Sequence, residues 1–589
     1  VVEACIIGPE PLNAKLYIGK QGEFSEDRVV PLAAKSGKLY KHFFYVENRL
    51  GKLRFDPIES KGVFTLEHFK VQAVTERFAL KRMQSSITSA GQVSIKRNEC
   101  KARADYIQAI YGAYNQIKNG FRDQGDHYIQ WLRGEATLSK APLVKPGILF
   151  SIVMPVYQAD VSLLKAAVAS IQAQTYSHFE ICIADDASTD PELLKYLNAL
   201  VEGDGSIKLC FRHQNGHISA ATNSALDLAS GDFIVFMDQD DLLAQDALQW
   251  LAYEASSNQD AMLLYSDEDK IDANGNRYQP HFKPNFSPHL LLGQNYISHL
   301  TSMKKSLVDL LGGLRVGYEG AQDHDLLIRA LPYLNKDNVI RIPRVLYHWR
   351  AIEGSTASSP EAKGYTNTAA VKSVQDYLDQ HEAGATAVMG RGANTVKVQR
   401  PIKQNPLVSL LIPTRDGLTV LKPCIESIIN KTQYTNFEIL ILDNDSQEAK
   451  TVAFFKDVQA SDERVKVISC PGEFNFSKIN NLGALKAKGE YIGLVNNDIE
   501  VIEGNWLSEM LSLATLDDVG CVGAKLLYSN NTIQHGGVIL GIGGIAGHSH
   551  LHVPAANSGY FERMNLVHEV SAVTAACLLV SAEIYHQVE

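Results

Sequence analysis

The sequence predicts an α/β protein in which one mostly parallel, Rossmann-like sheet domain is built twice. Two observations carry that prediction. The first is self-similarity at a single offset. Ser151-Ile152-Val153-Met154-Pro155 returns 258 residues later as Ser409-Leu410-Leu411-Ile412-Pro413, and FEICIADDAS (179–188) returns as FEILILDNDS (437–446). Asn223, Gly231 and Asp240 recur at the same spacing as Asn481, Gly489 and Asp498. A period this long is a duplicated domain rather than a solenoid. The second observation is strand–helix alternation inside each copy, the pattern of a parallel sheet with helices on its faces.

In chain order, residues 1–75 alternate apolar and polar positions between turn residues, as a small β-sandwich does. Residues 76–147 form a helical linker region, with a long helical stretch at 98–133 and a Pro-containing connector at 141–147. The first copy spans 148–383. Its β-branched run 151–154 ends in Pro155, a helical stretch follows at 163–172, and a second strand ends in Asp185-Asp186. A helix at 219–229 leads through Gly231-Asp232 into the strand 233–237 and Asp238-Gln239-Asp240-Asp241. A linker at 384–404 precedes the second copy, 405–589, which reads as C-terminally incomplete. Both ends read as cuts in a longer protein, because Val1 stands first and no leader pattern follows it.

Composition narrows the function. With 589 residues the chain holds several cores. A net charge of -10 disfavours a nucleic-acid binder. No apolar run is long enough to cross a bilayer, so membrane contact is expected to be peripheral at most. Eight cysteines without a C-x-x-C pair read as a reduced, cytoplasmic chain.

The chemistry lies in the carboxylates. In parallel α/β sheets ligands sit at the carboxyl ends of the strands, where Asp185, Asp186, Asp238 and Asp240 all fall. Alternation puts Asp238 and Asp240 on one side. Two ionised carboxylates about 4 Å apart repel by roughly 4 kcal/mol at an effective dielectric of 20. Protonation of one, or a cation between them, relieves that repulsion. A divalent ion shared with a substrate diphosphate is the usual arrangement.

These blocks resemble the family-2 glycosyltransferases of the GT-A fold: S-I-V-M-P-V-Y, A-D-D-A-S-T-D and S-G-D-F-I-V-F-M-D-Q-D-D. So do Y-S-D-E-D-K-I-D (265–272), F-K-P-N-F-S-P (282–288), G-A-Q-D-H-D-L (320–326) and L-Y-H-W-R (346–350). The set is similar to tandem enzymes of bacterial O-antigen or other surface polysaccharide synthesis. The resemblance implies a nucleoside pocket lined by Pro155, Tyr157, Asp185 and Asp186, and Mg²⁺ or Mn²⁺ held against the diphosphate by Asp238 and Asp240. It implies His348 as a late metal ligand and Asp323 as the base that deprotonates the acceptor hydroxyl; if Asp323 is not the base, Asp325, two residues on, is the next candidate. Asp267 and Asp269 read either as shaping the donor or acceptor pocket or as an ordinary charged loop. The implied reaction is inverting transfer from a UDP- or dTDP-sugar to a lipid-linked or oligosaccharide acceptor, at the inner face of the plasma membrane or in the cytoplasm.

In the second copy the counterparts are Pro413, Asp443 and Asp445 for the nucleotide and Asp498 for the metal. Asn496-Asn497-Asp498 replaces D-Q-D, as in some rhamnosyl- and related deoxysugar transferases, and the matching base is expected roughly ten residues past Glu589. His535, His548, His550 and His552 lie in a Gly-rich stretch without a completing cysteine or carboxylate pattern, which fits a loop over the site better than zinc. Two other functions compete with this one. A sugar nucleotidyltransferase lacks support because residues 156–160 (VYQAD) are not a basic, Gly-rich phosphate loop. A non-catalytic carbohydrate-binding scaffold is disfavoured by the acidic residues kept at every expected strand end of the first copy.

Overall fold

Short alternating segments at the start of the chain form β1 (Val2–Ile7), β2 (Ala14–Ile18), β3 (Val29–Leu32), β4 (Tyr40–His42), β5 (Leu53–Asp56) and β6 (Thr65–Val71). They pair as two three-stranded antiparallel sheets, β4-β1-β6 and β3-β2-β5. Val2, Ala4 and Ile6 of one sheet meet Ala14, Leu16 and Leu32 of the other in one apolar cluster, a small sandwich. The computed structural model describes residues 1–7, 14–18, 29–32, 36–44, 52–56, 64–89, 103, 106–107, 110–111, 114, 124–135, 140–350, 362–392, 394–542 and 545–588. Most of the helical stretch expected at 98–133 lies outside the described residues; helices Glu76–Ser89 and Gln124–Glu135 lie within them.

The first repeat carries β7 (Phe150–Val156), β8 (Phe179–Asp185), β9 (Ile207–Phe211), β10 (Phe233–Phe236), β11 (Leu242–Leu243), β12 (Leu263–Ile271), β13 (Arg277–His281), β14 (Thr301–Lys304) and β15 (Val339–Arg350). Their order is β11-β15-β12-β14-β10-β7-β8-β9, with β13 added to β12. Strands β7 to β10 are mutually parallel, and β14 runs antiparallel between β10 and β12. Alternation divides β7 and β8 between two cores. Ile152, Met154, Ile181 and Ile183 face one helix layer, while Val153, Cys182 and Ala184 face the other. Burial on both faces explains why these strands read as unbroken apolar runs. The interval 384–404, expected as a linker, contains the antiparallel hairpin β16 (Thr386–Met389) and β17 (Val396–Gln399).

The second repeat carries β18 (Val408–Thr414), β19 (Phe437–Asp443), β20 (Val465–Ser469), β21 (Tyr491–Val495), β22 (Cys521–Gly523), β23 (Leu526–Leu527), β24 (Ile533–His535), β25 (Val538–Leu540), β26 (Ala546–His548) and β27 (Cys577–Ser581). Six of them form the sheet β20-β19-β18-β21-β27-β22, which repeats β9-β8-β7-β10-β14-β12 of the first. The same lock closes both sheets. Ser151 Oγ donates to Glu180 (2.7 Å) and accepts from the Gly231 N–H (2.8 Å). Ser409 Oγ donates to Glu438 (2.8 Å) and accepts from Gly489 (2.9 Å). A Cβ on Gly231 would lie 2.6 Å from Leu149 O, and one on Gly489 would lie 2.6 Å from Ser409 N, so glycine is required at both.

By contact the chain forms two compact units. One is Val1–Arg122, Arg400–Asn557 and Val570–Glu589; the other is Asp123–Gln399 with Ser558–Glu569. Among the described residues no helix is long and apolar enough to cross a membrane.

Candidate active site

One end of the site is built by the loops after β7 and β8. Asp185 closes β8 and is buried; one oxygen accepts from Ser188 N–H (3.0 Å), and the other is buried with no partner. Asp186 is also buried, but its acceptors are taken by Arg212 Nε (2.7 Å) and by Gly216 N–H (3.0 and 3.1 Å). Of the two, Asp185 is therefore the one with an open acceptor. Tyr157 is 48% exposed. Its backbone N–H donates to Gln239 Oε1 (2.9 Å), and its carbonyl accepts from Gln239 Nε2 (3.3 Å), tying this loop to the D-Q-D turn. Pro155 stands just before it on β7.

Beyond β10, Asp238, Asp240 and Asp241 lie within four residues. Asp241 is buried; it accepts from Tyr347 Oη (2.7 Å) and from Arg350 N–H (2.7 Å). Burial, with Asp238 and Asp240 alongside, pushes Asp241 up to about 7. Burial and the charge of Asp238 also raise Asp240, whose carbonyl accepts from Arg350 Nε (2.9 Å). Partial burial works against ionisation of Asp238, yet His299 Nε2, 3.5 Å away, holds its carboxyl below the ordinary value. Burial in turn opposes the imidazolium, but Asp238, with Asp241 and Asp323 behind it, pushes His299 up to about 9. The ring stacks on Tyr347, with centroids 4.6 Å apart.

His348 is not brought to Asp238 and Asp240. Tyr347 and His348 are consecutive on β15, so alternation sends them to opposite faces. Tyr347 reaches the carboxylates, whereas His348 Nδ1 meets Asp269 at 2.5 Å. Asp269 also accepts from Arg277 Nε and from Tyr128 Oη of helix Gln124–Glu135, each at 2.5 Å. Asp267 accepts from Lys283 N–H (2.8 Å) and from Arg341 (3.0 and 3.1 Å). Both aspartates anchor neighbouring chain rather than form a free charged loop. Between them Glu268 accepts from Lys283 Nζ (3.0 Å) and from the His299 N–H (3.1 Å), which fixes the backbone beside Asp238.

Asp323 sits in the first turn of helix Gln322–Ala330, where Asn295 Nδ2 donates to it (2.9 Å). Asp325 is buried and bound by Arg315, by Arg329 (2.9 Å) and by Ser373 (3.1 Å). Those bonds leave it no freedom to meet a substrate. Among the described residues no three His, Cys, Asp or Glu side chains form a metal-ligand cluster. Two carboxylates crowded by each other's charge still suit an ion whose remaining ligands come from a diphosphate and water.

In the second repeat Pro413 and Asp443 occupy the same strand ends, and Asp443 accepts from Ser446 N–H (3.0 Å), as Asp185 does from Ser188. Asp445 accepts from Gly472 N–H (2.9 Å), and Asp498 is exposed. Strand register aligns β14 with β27, because Phe233 pairs Lys304 as Tyr491 pairs Ser581. His299 then corresponds to Ala576, whose carbonyl accepts from Asn496 N–H (3.0 Å). His299, Tyr347 and Asp241 were not singled out from sequence as site residues. Asp241 carried a signal as the third acid after β10; His299 lies in Q-N-Y-I-S-H-L with none.

The profile of "Glycosyl transferase family 2" matches residues 151–307 and again 409–564, more than half of the chain. A Sinorhizobium fredii protein, y4gI, is 44% identical over 75% of this chain and 49% of its own length. The O-antigen biosynthesis protein RfbC of Myxococcus xanthus is 34% identical over 76% of this chain and 34% of its own. Escherichia coli WfgD, named a UDP-Glc:α-D-GlcNAc-diphosphoundecaprenol β-1,3-glucosyltransferase, is 37% identical over 17% of this chain and 38% of its own. The chain thus spans about half or less of the length of these relatives.

Proposed function

Because the chain belongs to glycosyl transferase family 2, we propose that its first repeat transfers a sugar from a nucleoside-diphosphate sugar to a hydroxyl of a growing surface glycan, with inversion and with a divalent cation. The carrying observation is the set of three carboxylates after β10, two of them raised by burial and by their neighbours' charge, beside a buried strand-end carboxylate with an unused acceptor. Asp185 would accept an N–H or O–H from the nucleoside, and Tyr157 would lie along it. Asp238 and Asp240 would hold Mg²⁺ or Mn²⁺, which supplies Lewis-acid stabilisation of the charge building on the leaving diphosphate. Asp323 would take the proton of the acceptor hydroxyl, oriented for it by Asn295. No enzyme nucleophile is needed for single displacement. The relatives' names favour a lipid-linked or oligosaccharide acceptor and a role in O-antigen-like polysaccharide synthesis, and Asn496-Asn497-Asp498 favours a deoxysugar such as rhamnose for the second repeat.

The test is a panel of UDP- and dTDP-sugars with Mn²⁺, followed by release of the nucleoside diphosphate. The parent should consume at least one donor, Asp240→Ala none, and EDTA should silence the parent. Full turnover in excess EDTA would refute the cation-dependent reading.

A further inference from the structure

We infer that residues 558–569, although they fall in the sequence of the second repeat, are positioning residues for the site of the first; the inference rests on the glycosyl-transfer reading above. The chain gives this segment to the unit that holds the first repeat. There it packs on the stretch between β13 and β14, which runs from Phe282 to Leu300 with only one six-residue helix, Pro288–Gly293. Irregular backbone of that kind must find partners for its peptide groups elsewhere.

The segment supplies them. Tyr560 Oη donates to Pro280 O (2.7 Å) and accepts from the Phe282 N–H (2.8 Å). Arg563 donates to Phe282 O (3.0 Å), and Glu569 accepts from His289 N–H (3.1 Å) and from Ser287 Oγ. The Phe561 ring stacks on His281 with centroids 3.7 Å apart and planes 13° from parallel. Phe561 and Glu562 both adopt left-handed backbone angles (φ 48° and 63°), which residues with side chains take when their surroundings fix them.

What this stretch carries gives the contact its meaning. One branch runs from His281 Nδ1 to Glu268 (3.2 Å), from Glu268 to the His299 N–H (3.1 Å), and from the His299 ring to Asp238 (3.5 Å). The other is Asn295, which orients Asp323. The stretch braced by Tyr560, Phe561 and Arg563 thus sets both the group facing the leaving diphosphate and the group facing the acceptor. The contacts of Tyr560, Phe561, Arg563 and Glu569 named above fall on residues 280–289, at a distance in sequence from Asp185 and Tyr157, so nucleotide binding should be spared.

The test compares the full chain with its Tyr560→Phe, Phe561→Ala and Phe561→Tyr variants by two measurements. Hydrogen exchange of residues 282–299 needs no sugar chemistry and should speed up about ten-fold in the first two variants. Release of UDP from whichever UDP-sugar the parent turns over with Mn²⁺ should fall about 10- to 100-fold in kcat, with UDP affinity by calorimetry within about two-fold of parent. Phe561→Tyr, which keeps the ring on His281, should resemble the parent in both. Unchanged exchange overturns the inference even if the parent proves inactive. Faster exchange with parental kcat overturns it as well, and so does equal loss of kcat and UDP affinity. A parent that turns over no nucleotide sugar overturns the reading of the function instead, and exchange still decides whether the segment braces 282–299.

Discussion

The two repeats share a frame and differ in where they place charge. The Ser151–Glu180–Gly231 lock and its copy Ser409–Glu438–Gly489 agree within 0.1 Å in each bond. Yet where the first repeat sets Asp238 against His299, the second has Asn496 bonded through its backbone to Ala576. Acid and counter-ion differ together. Asp238 and His299 each favour the other's charged form, so the pair, and not the single residue, is the unit that changes between the repeats. The frame tolerates either state because it is held by the Ser–Glu–Gly lock at the opposite end of the strands.

The largest expected effect tests whether that difference decides activity. Asp238→Ala should take donor turnover to background, a loss on the order of 10³-fold or more, whereas Asp498→Ala should leave it nearly unchanged. Equal losses would show the second repeat working as hard as the first. Next comes Asp323→Asn, which keeps the bond partner of Asn295 but cannot take a proton. Turnover should fall about 10²- to 10⁴-fold with nucleotide affinity near parental. A variant that keeps more than about a third of its rate at saturating acceptor would remove Asp323 from the role, and Asp325, already bound by two arginines, would not replace it.

A smaller effect concerns acid stability of the first repeat. Glu268 is buried; burial opposes its charge, but Lys283 and His281 hold it at about 2, below the ordinary 4.5. A depressed carboxylate contributes stability that is complete above the unfolded value and is lost as pH falls through the folded one. Melting temperature should therefore drop between about pH 4.5 and pH 2, and in Glu268→Gln that loss, on the order of 3 kcal/mol, should be missing. An unchanged slope would mean that the pair does not set acid stability. The smallest effect is a loss. Asn496→Asp with Ala576→His rebuilds the pair in the second repeat, and because an imidazolium beside the carboxylate repels the dication, Mn²⁺ affinity there, read by calorimetry with UDP present, should fall a few-fold below Asn496→Asp alone.

Much of the frame was legible because sheet position follows from apolar runs and a fixed spacing. Asp185, Asp238 and Asp240 were legible because acids directly after buried strands have one geometric fate. His299 was not: it lies 61 residues from Asp238 in sequence and reaches it through a strand, β14, that returns antiparallel. His348 stands where the family resemblance places a late metal-binding histidine, and strand parity turned it to Asp269. The role of residues 558–569 was hidden for another reason. Their sequence continues the second repeat, while their partners belong to the first.

The three short bonds on Asp269 bear on what counts as a transplantable module. Family similarity begins at Ser151, but one of the three donors, Tyr128, belongs to a helix that ends at Glu135, where the Glu135 carboxylate also pairs with Arg277 (3.0 Å). A chimera cut at the edge of the similarity would leave a buried carboxylate one donor short and Arg277 without half of its anchor. Swaps between relatives should move residues 123–399 together with 558–569, because the borders of recognisable ancestry and of mechanical integrity do not coincide here.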